Sequence, residues 1–451
     1  MVSKHEIGNV NLLSSALLLL LCTQLPALAA AEIRLKGPIK STLSINQAMS
    51  ETLMKSPRAA SLRLQLGIAK SGLAKATELA NPTIFMDNGY RAEFTYRYGA
   101  SVPVEMPWKL AFRLLAAKQQ IKLADLEIAK GLWALRGDIR RAYTEVILSQ
   151  ERHAMLSELA ALYQHLQSAA EKRFIAGEVA QIDVYRAELA HTQASINREQ
   201  MQEQVRQTKQ VLSVLLGRSY DSVYEVPRLP PFHLKISNAD YLPNLDNPLP
   251  ELPVLINQAM NNRLEIKIAT QSIATNGANL KVALGNVLPN PTIGVGSSVV
   301  NGPAPKPVAG DSIGAPGAPK TNFHGFFFQV FQELPIFNFQ QGDISKYRAT
   351  NRQFKAELQT QKNLVEAQVV EAYRAVAMQR QKIHAYHEKA LKQANEIARL
   401  TQRSYQVGQI DINSALVAQQ ANVQVRHEYL DAVYAYQIAY TNLEQSIGGT
   451  L

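Results

Sequence analysis

Apolar positions along the chain follow two periods in turn. Over residues 44–80 they recur at helical spacing among Ala, Leu and Lys, with an interruption at Pro57. From Ile84 to Met106 the period drops to two. Ile84, Met86, Tyr90, Phe94, Tyr96, Tyr98, Val102 and Val104 alternate with Asp87, Arg91, Glu93, Thr95, Arg97, Ser101 and Glu105. This predicts strands with one tyrosine-rich apolar face and one charged face. Pro107 then opens a long helical pattern that stops at Gly177 and returns as far as Gly217. Tyr220 to Pro253 is rich in proline with little periodicity, and reads as a connector packed outside the helices. Beyond it the succession recurs. Ile293, Val295, Ser297 and Val299 alternate with small and polar residues, a phenylalanine-rich return strand runs from Phe323 to Leu334, and Pro335 opens a pattern that reaches Gly408 and comes back to Gly448. Asn301 to Asn322, made of Gly, Pro, Ala and Ser without periodicity, predicts an exposed loop.

The recurrence is literal in places. Ile45-Asn46-Gln47-Ala48-Met49 returns as Ile256-Asn257-Gln258-Ala259-Met260, and Asn81-Pro82-Thr83-Ile84 as Asn290-Pro291-Thr292-Ile293. Met106-Pro107-Trp108 matches Leu334-Pro335-Ile336, Arg141-Ala142-Tyr143 matches Glu371-Ala372-Tyr373, and Leu216-Gly217 matches Ile447-Gly448. The turns at the helical reversals also match: Lys172-Arg173-Phe174-Ile175-Ala176-Gly177-Glu178-Val179 and Arg403-Ser404-Tyr405-Gln406-Val407-Gly408-Gln409-Ile410. Each glycine reads as a left-handed helix stop at the tip of a helical hairpin. The expected organisation is a leader over 1–30, a first repeat over 31–219 with its strands in 83–106 and tip in 172–183, the connector 220–253, and a second repeat over 254–451 with strands in 292–334 and tip in 403–414.

Pro335 to Gly408 as one continuous helix would extend on the order of 110 Å. A seven-residue seam is expected inside it, with Val369, Val376, Ile383, Ala390 and Ile397 in one register and Val365, Ala372, Gln379, Tyr386, Gln393 and Leu400 in the other.

Composition narrows the setting. Lys4 and His5 precede the apolar run Leu12 to Leu21, and Ala27-Leu28-Ala29 offers small residues for cleavage, the pattern of a secretory signal. A lipid anchor at Cys22 competes with this reading, but Leu21 stands where a small residue is required. Cys22 is the single cysteine, so the mature chain is expected to lack disulfides, cysteine nucleophiles and iron–sulfur clusters. The net charge of +10 is spread as Lys and Arg alternating with Glu along helical patterns, which fits solvated helix faces. The leader argues against a nucleic-acid partner. No later stretch is long and apolar enough for a membrane helix.

A half-buried soluble sheet would give the same alternation, but tyrosines on the apolar face, full charges on the other and a secretory leader favour a membrane sheet. Four strands cannot close a membrane barrel, and an open sheet in lipid leaves backbone groups unpaired at several kcal/mol each. Several chains must then share one barrel.

These features together resemble the TolC-type outer-membrane channels of Gram-negative tripartite efflux and type I secretion systems: the leader, the tandem repeat, the Asn-Pro-Thr-Ile strand starts and the paired basic-x-aromatic-x-x-Gly tips. Leu288-Pro289-Asn290-Pro291 is similar to members that serve heavy-metal efflux. The resemblance implies a mainly helical fold with four β-strands per chain, a homotrimer with a twelve-stranded barrel in the outer membrane, and a helical tunnel across the periplasm. Its partners would be a periplasmic adaptor and an inner-membrane pump, its cargo small molecules or metal cations. Protein secretion is the alternative within transport, and a soluble periplasmic coiled-coil scaffold the alternative outside it.

By the same resemblance Gly177, Gly408, Phe174 and Tyr405 correspond to adaptor-docking tip residues, Tyr405 also to a gate tyrosine, and Asp183 to an acidic gate residue. The second tip departs from the family: Ser414 and Val417 stand where an acidic ring is expected, Ile410 where a gate arginine is, and the nearest acid is Asp411. N-capping also accounts for Asp183, Asp411 and Ser414. His384 and His387 share a helix face but lack a third ligand, so no metal site is expected. Gly294-Val295-Gly296 reads as a close backbone approach rather than a nucleotide loop. Without a nucleophile–base signature, neither enzymatic chemistry nor a cofactor is expected.

Overall fold

The computed structural model describes residues 43–88, 96–220, 248–303 and 320–451, with Ser222, Tyr224–Val226 and Leu245. The chain divides into two units, Met1–Ile39 and Lys40–Leu451, and every described residue belongs to the second. The leader and Cys22 lie outside the described residues, as does most of the connector.

Two short helices open the unit, α1 (Ile45–Lys55) and α2 (Pro57–Thr77). Ser44 and Gln47 form a reciprocal capping box at the start of α1, and Ser56 caps α2 with Pro57 in its first turn. Strands β1 (Thr83–Asn88) and β2 (Tyr96–Pro103) follow, then α3 (Pro107–Ile175), at 69 residues about 100 Å of helix. After the first tip, α4 (Gln181–Leu216) returns along α3. The second half supplies α5 (Leu252–Asn262), α6 (Leu264–Gly285), β3 (Thr292–Pro303) and β4 (Lys320–Phe331). It ends with α7 (Gln341–Ala385), a π-turn over Tyr386–Ala390, α8 (Leu391–Gln406) and α9 (Ile412–Ile447).

The four strands form one antiparallel sheet in the order β1-β2-β3-β4. Thr83 pairs with Ser101, Arg97 with Ser298 and Val295 with Phe328. The expected loop from Asn301 to Asn322 is shorter, because both strands extend into it: the ladder continues to the pair Pro303–Lys320. The rest of that loop falls outside the described residues.

Helices stack end to end in both halves. Gly217 ends α4 at φ 75°, and a Cβ there would lie 2.6 Å from Cδ of Pro57, which starts α2. Gly448 ends α9 at φ 69° against Asn262 and Arg263, where α6 begins. The apolar stripes bury against one another in separate cores. Leu135, Ile139, Tyr143, Leu212 and Leu216 form the first-half core, which takes in Tyr224 and Val226 of the connector. Val365, Val369, Val376, Ile383, Tyr429, Tyr436 and Leu443 form the second, joined by Leu245.

Two expectations are corrected. Pro335 does not start a helix, because the chain turns through Leu334–Gln340 first. Gln340 sits at φ 60°, the Phe339 amide donates to Gln341 Oε1 at 3.0 Å, and the Gln340 amide donates to Asn338 Oδ1 at 3.1 Å. Such side-chain bonds offer the backbone an alternative to helix and delay its start by six residues. The heptad seam also changes phase. Val365, Val369, Ala372, Val376 and Ile383 are buried as expected, but the seam then passes to Leu391, Ala398 and Tyr405, leaving Ile397 and Leu400 exposed. A π-turn absorbs one extra residue, which moves every position below it by one.

Between the halves, α3 and α9 are joined by a buried ion pair from Arg140 Nη1 to Glu444 Oε2, with the Arg140 guanidinium 5.7 Å from the Tyr440 ring centroid. Replacing Arg140 alone with alanine should lower stability by roughly 3–5 kcal/mol, since it strands a buried carboxylate, while Arg140→Met with Glu444→Met should recover much of the loss. Thermal midpoints of the purified variants check this. Burial also pushes the phenols of Tyr429 and Tyr436 up to about 12. Both groups ionise at higher pH folded than unfolded, so their contribution is complete below pH 10 and drains away as pH rises toward 12. Melting at pH 9, 10 and 11 should show a progressive fall, reduced in Tyr436→Phe.

Candidate functional site

The two hairpin tips are built alike. Gly177 and Gly408 sit at φ 76° and 79°, a region where any other residue is strained. Each closes a double turn: Gly177 N donates to Phe174 O and Glu178 N to Arg173 O, both at 2.9 Å, while Gly408 N donates to Tyr405 O at 3.1 Å and Gln409 N to Ser404 O at 2.9 Å. The two tips share one core, in which Ala160, Tyr163, Leu166, Ala170, Ala187 and Ala194 of the first hairpin pack with Tyr405, Ile412 and Ala415 of the second.

The equivalent aromatics differ in environment. Tyr405 is 1 % exposed, whereas Phe174 is 42 % exposed. Burial raises the Tyr405 phenol above its ordinary range, opposed by the Arg173 charge and assisted by that of Asp183. Arg173 is the residue that sequence reasoning missed. Its Nη1 donates to Tyr405 O at 3.1 Å, its Nε to Glu178 Oε2 at 3.0 Å, and its guanidinium lies 5.3 Å from the Tyr405 ring centroid. It clasps the two tips together. The repeat hides this role, because the position matching Arg173 in the second tip is Ser404.

Neither carboxylate makes the N-cap hydrogen bond expected of it, although Asp411 does stand at the N-cap position. Asp411 is the N-cap of α9; its Oδ1 accepts from Ser414 Oγ at 2.5 Å, which holds the carboxyl below its usual range, and the Asn413 and Ser414 amides add to that shift without closing a regular cap bond. Asp183 is not a cap. Ala180 holds that place, because α4 begins at Gln181, and Asp183 lies in the first turn with Oδ1 3.5 Å from Arg186 Nη1. There its charge favours the helix N-terminus and also acts on Tyr405. Ile410 packs against the shared tip core. His384 lies 4.0 Å from Glu388, and the described residues hold no cluster of three metal-ligating side chains.

At the other end, the sheet has two unlike faces. Ile84, Met86, Tyr96, Tyr98, Val102, Val295, Phe326, Phe328 and Val330 form an exposed apolar face. The opposite face was expected to be polar, yet carries Phe85 and Phe327 as well. Their rings, 5.9 Å apart, cover the paired Gly99 and Gly296, where any Cβ would lie within 2.8 Å of ring carbons and of backbone oxygens. Arg97 lies 4.5 Å from the Phe327 ring centroid and donates to Gln329 Oε1 at 2.5 Å. Gly296 is thus the close approach that its motif predicted. Among the described residues no helix is long and apolar enough to cross a membrane.

The sequence profile of the outer membrane efflux protein family matches residues 56–218 and 255–449, most of the chain and both of its halves. The chain belongs to this family. It is therefore an outer-membrane efflux channel component reaching into the periplasm, in a family of transport proteins that form the outer-membrane part of tripartite pumps. Among curated proteins it is similar to the cobalt-zinc-cadmium resistance protein CzcC of Cupriavidus metallidurans, 21% identical over 392 residues and covering 85% of each chain. Among solved structures, the outer-membrane channel OprN superposes with a TM-score of 0.69 at 14% identity, covering 92% of this chain and 94% of that one. CusC does so with 0.68 at 17% identity, covering 93% and 96%. VceC of Vibrio cholerae gives 0.66 at 14% identity, covering 90% and 96%. These likenesses bear out the predicted fold of long helical hairpins with a four-stranded sheet.

For this efflux-family chain, both tip glycines should resist substitution unequally. Gly177→Ala meets open space and should cost about 1–2 kcal/mol through its left-handed backbone alone. Gly408→Ala should cost more, because its Cβ would fall 3.2 Å from Arg173 Nη2 and push the clasp aside. Limited proteolysis at the tips checks the order.

Proposed function

We propose that three copies of this chain assemble into an exit duct for divalent metal cations, closed at the periplasmic end by the hairpin tips. One observation carries the assembly. The sheet presents an exposed apolar face while its outer strands, β1 and β4, have no further partner strand among the described residues. In lipid those edges must be paired, and joining β4 of one copy to β1 of the next makes three four-stranded sheets into a twelve-stranded barrel. The apolar face then meets lipid, and the face with Arg97, Phe85 and Phe327 lines the lumen.

Pseudo-symmetry supports the same assembly at the tips. Tyr405 of the second tip is buried against the first hairpin of its own chain; Phe174, its counterpart, takes the matching place against a second hairpin from another copy. Gly177 and Gly408, at the two tips, offer the docking surface for a periplasmic adaptor, and an inner-membrane pump supplies energy. Tyr405, Asp183 and Asp411 surround the closed end, where carboxylates repeated in three copies favour cations. Metal cargo is supported by the likeness to a cobalt, zinc and cadmium resistance protein.

The mature protein, purified in detergent, should run as a trimer and conduct in planar bilayers, with Arg173→Ala raising the open fraction. Asp183→Asn with Asp411→Asn should move reversal potentials toward lower cation selectivity. Cells lacking the duct should regain cobalt, zinc and cadmium resistance when the gene is restored. A soluble, non-conducting monomer overturns the assembly; restored duct function without metal resistance overturns the cargo.

A further inference from the structure

The middle of the helical layer holds a cavity of about 720 Å³. It forms where one helix gives way to the next. Toward the sheet α6 lies between α3 and α7; toward the tips α9 takes that place, and the two abut at Gly448 and Arg263. Alanines wall the joint, Ala134 of α3, Ala375 of α7 and Ala435 of α9 among them, and their short side chains leave the space unfilled. Trp133, Tyr434 and Ile438 supply its large apolar surfaces. On α9, Tyr436, Leu443 and Ile447 face the second core, which α5 and Leu245 of the connector complete, while Tyr434, Ile438 and Gln445 line the cavity from the opposite side of that helix.

Polar groups in the cavity are left unsatisfied. Trp133 Nε1 and Gln379 Oε1 are buried without a hydrogen bond, a state that buried polar groups seldom keep. The charges are settled except for one. Lys130 Nζ lies 3.8 Å from Glu265 Oε1, and Arg263 donates from Nη1 to Gln445 O at 2.7 Å and from Nη2 to Gln368 Oε1 at 2.6 Å. Glu371 lines the cavity with no such partner among the described residues, whereas Arg141, its counterpart in the first half, is held by Asp138, Asn442 and Gln445. A cation already lies against the indole of Trp133: the Arg136 guanidinium is 4.7 Å from its ring centroid.

We propose that this cavity is a binding site for a small amphipathic organic cation, whose apolar body lies against Trp133, Tyr434 and the alanines and whose charge meets Glu371. Its volume falls within the range of small-molecule sites, roughly 300–1,000 Å³. Trp133 Nε1 and Gln379 Oε1 offer a donor and an acceptor to any polar edge of the ligand. A bare metal ion has no use for the apolar lining, so the site is separate from the path of metal cargo. Its outlook rests on the duct reading: in a ring of three chains α1, α5 and the connectors sit outside, since inside they would fill the duct, so the cavity opens to the lumen. Its walls all come from one chain and its mouth faces the lumen, so no neighbouring copy covers it. Three occupied sites at one level would narrow the passage there.

Binding can be read on the purified protein in detergent. The chain has two tryptophans, Trp108 and Trp133, so Trp108→Phe leaves the cavity's indole as the sole tryptophan reporter. Titrating that variant with tetraphenylphosphonium should change its emission saturably, whereas tetraphenylborate, of matched size and opposite charge, should not. Adding Glu371→Gln should weaken phosphonium binding about tenfold. Ala435→Leu, or Ala375→Leu if the first fails to fold, fills the cavity and should abolish binding, with thermal midpoints confirming folded protein. No saturable change, an equal response to the borate, or full affinity in either kind of variant overturns the site. In planar bilayers the phosphonium should lower conductance, and Glu371→Gln should relieve that block. A chain that never conducts refutes the duct while the titration still decides the site; one that binds the probe yet conducts unblocked, or whose block survives Glu371→Gln, refutes the opening to the lumen.

Discussion

Backbone hydrogen bonding at the edges of a four-stranded sheet is the constraint from which the rest of this architecture follows. Inside the sheet every ladder is paired, from Thr83–Ser101 through Arg97–Ser298 to Thr292–Phe331. The outer sides of β1 and β4 have no such partner among the described residues, and the apolar face between them is exposed. Water could satisfy those groups, but water is what that face avoids; lipid suits the face but cannot satisfy the edges. The proposed sharing of strands among copies would meet both demands.

The helical part answers a different demand. Helices of this length need continuous lateral packing, which the chain obtains by duplication: each half has its own buried core, and helices abut end to end at Gly217 and Gly448. The duplication is inexact at the hairpin tips. Arg173 has Ser404 as its counterpart, so the clasp joins the tips within one chain and has no image from the second tip. The π-turn adds a second asymmetry on the helix that carries Tyr405. Both departures fall on the tip, the part proposed to close the duct.

Much of the fold and part of the site were legible in the residues. Period-two alternation located the sheet, Pro107 the start of the first long helix, and the twin glycines the tips, because each is a local preference of side chain or backbone. Pro335 misled because the bonds made by Asn338 and Gln341 outweigh a favourable first-turn proline. Asp183 suggested a cap only because helix starts cannot be placed to the residue from pattern alone. Phe85 and Phe327 went unremarked as a pair because they lie 242 positions apart and meet only when β1 and β4 flank the same two glycines.

By itself, then, the sequence determined what depends on neighbours along the chain: which segments are helix or strand, where they reverse, and that the programme runs twice. Tertiary structure alone decided what depends on phase and on distant partners. Whether Ile397 or Ala398 faces the core turns on a single residue absorbed between Tyr386 and Ala390, and no heptad count can show where a helix takes up such a surplus. Likewise the guanidinium of Arg173 finds the Tyr405 carbonyl across 232 positions only after two hairpins have packed into one core. Periodicity is a property of one helix, whereas register is settled between helices.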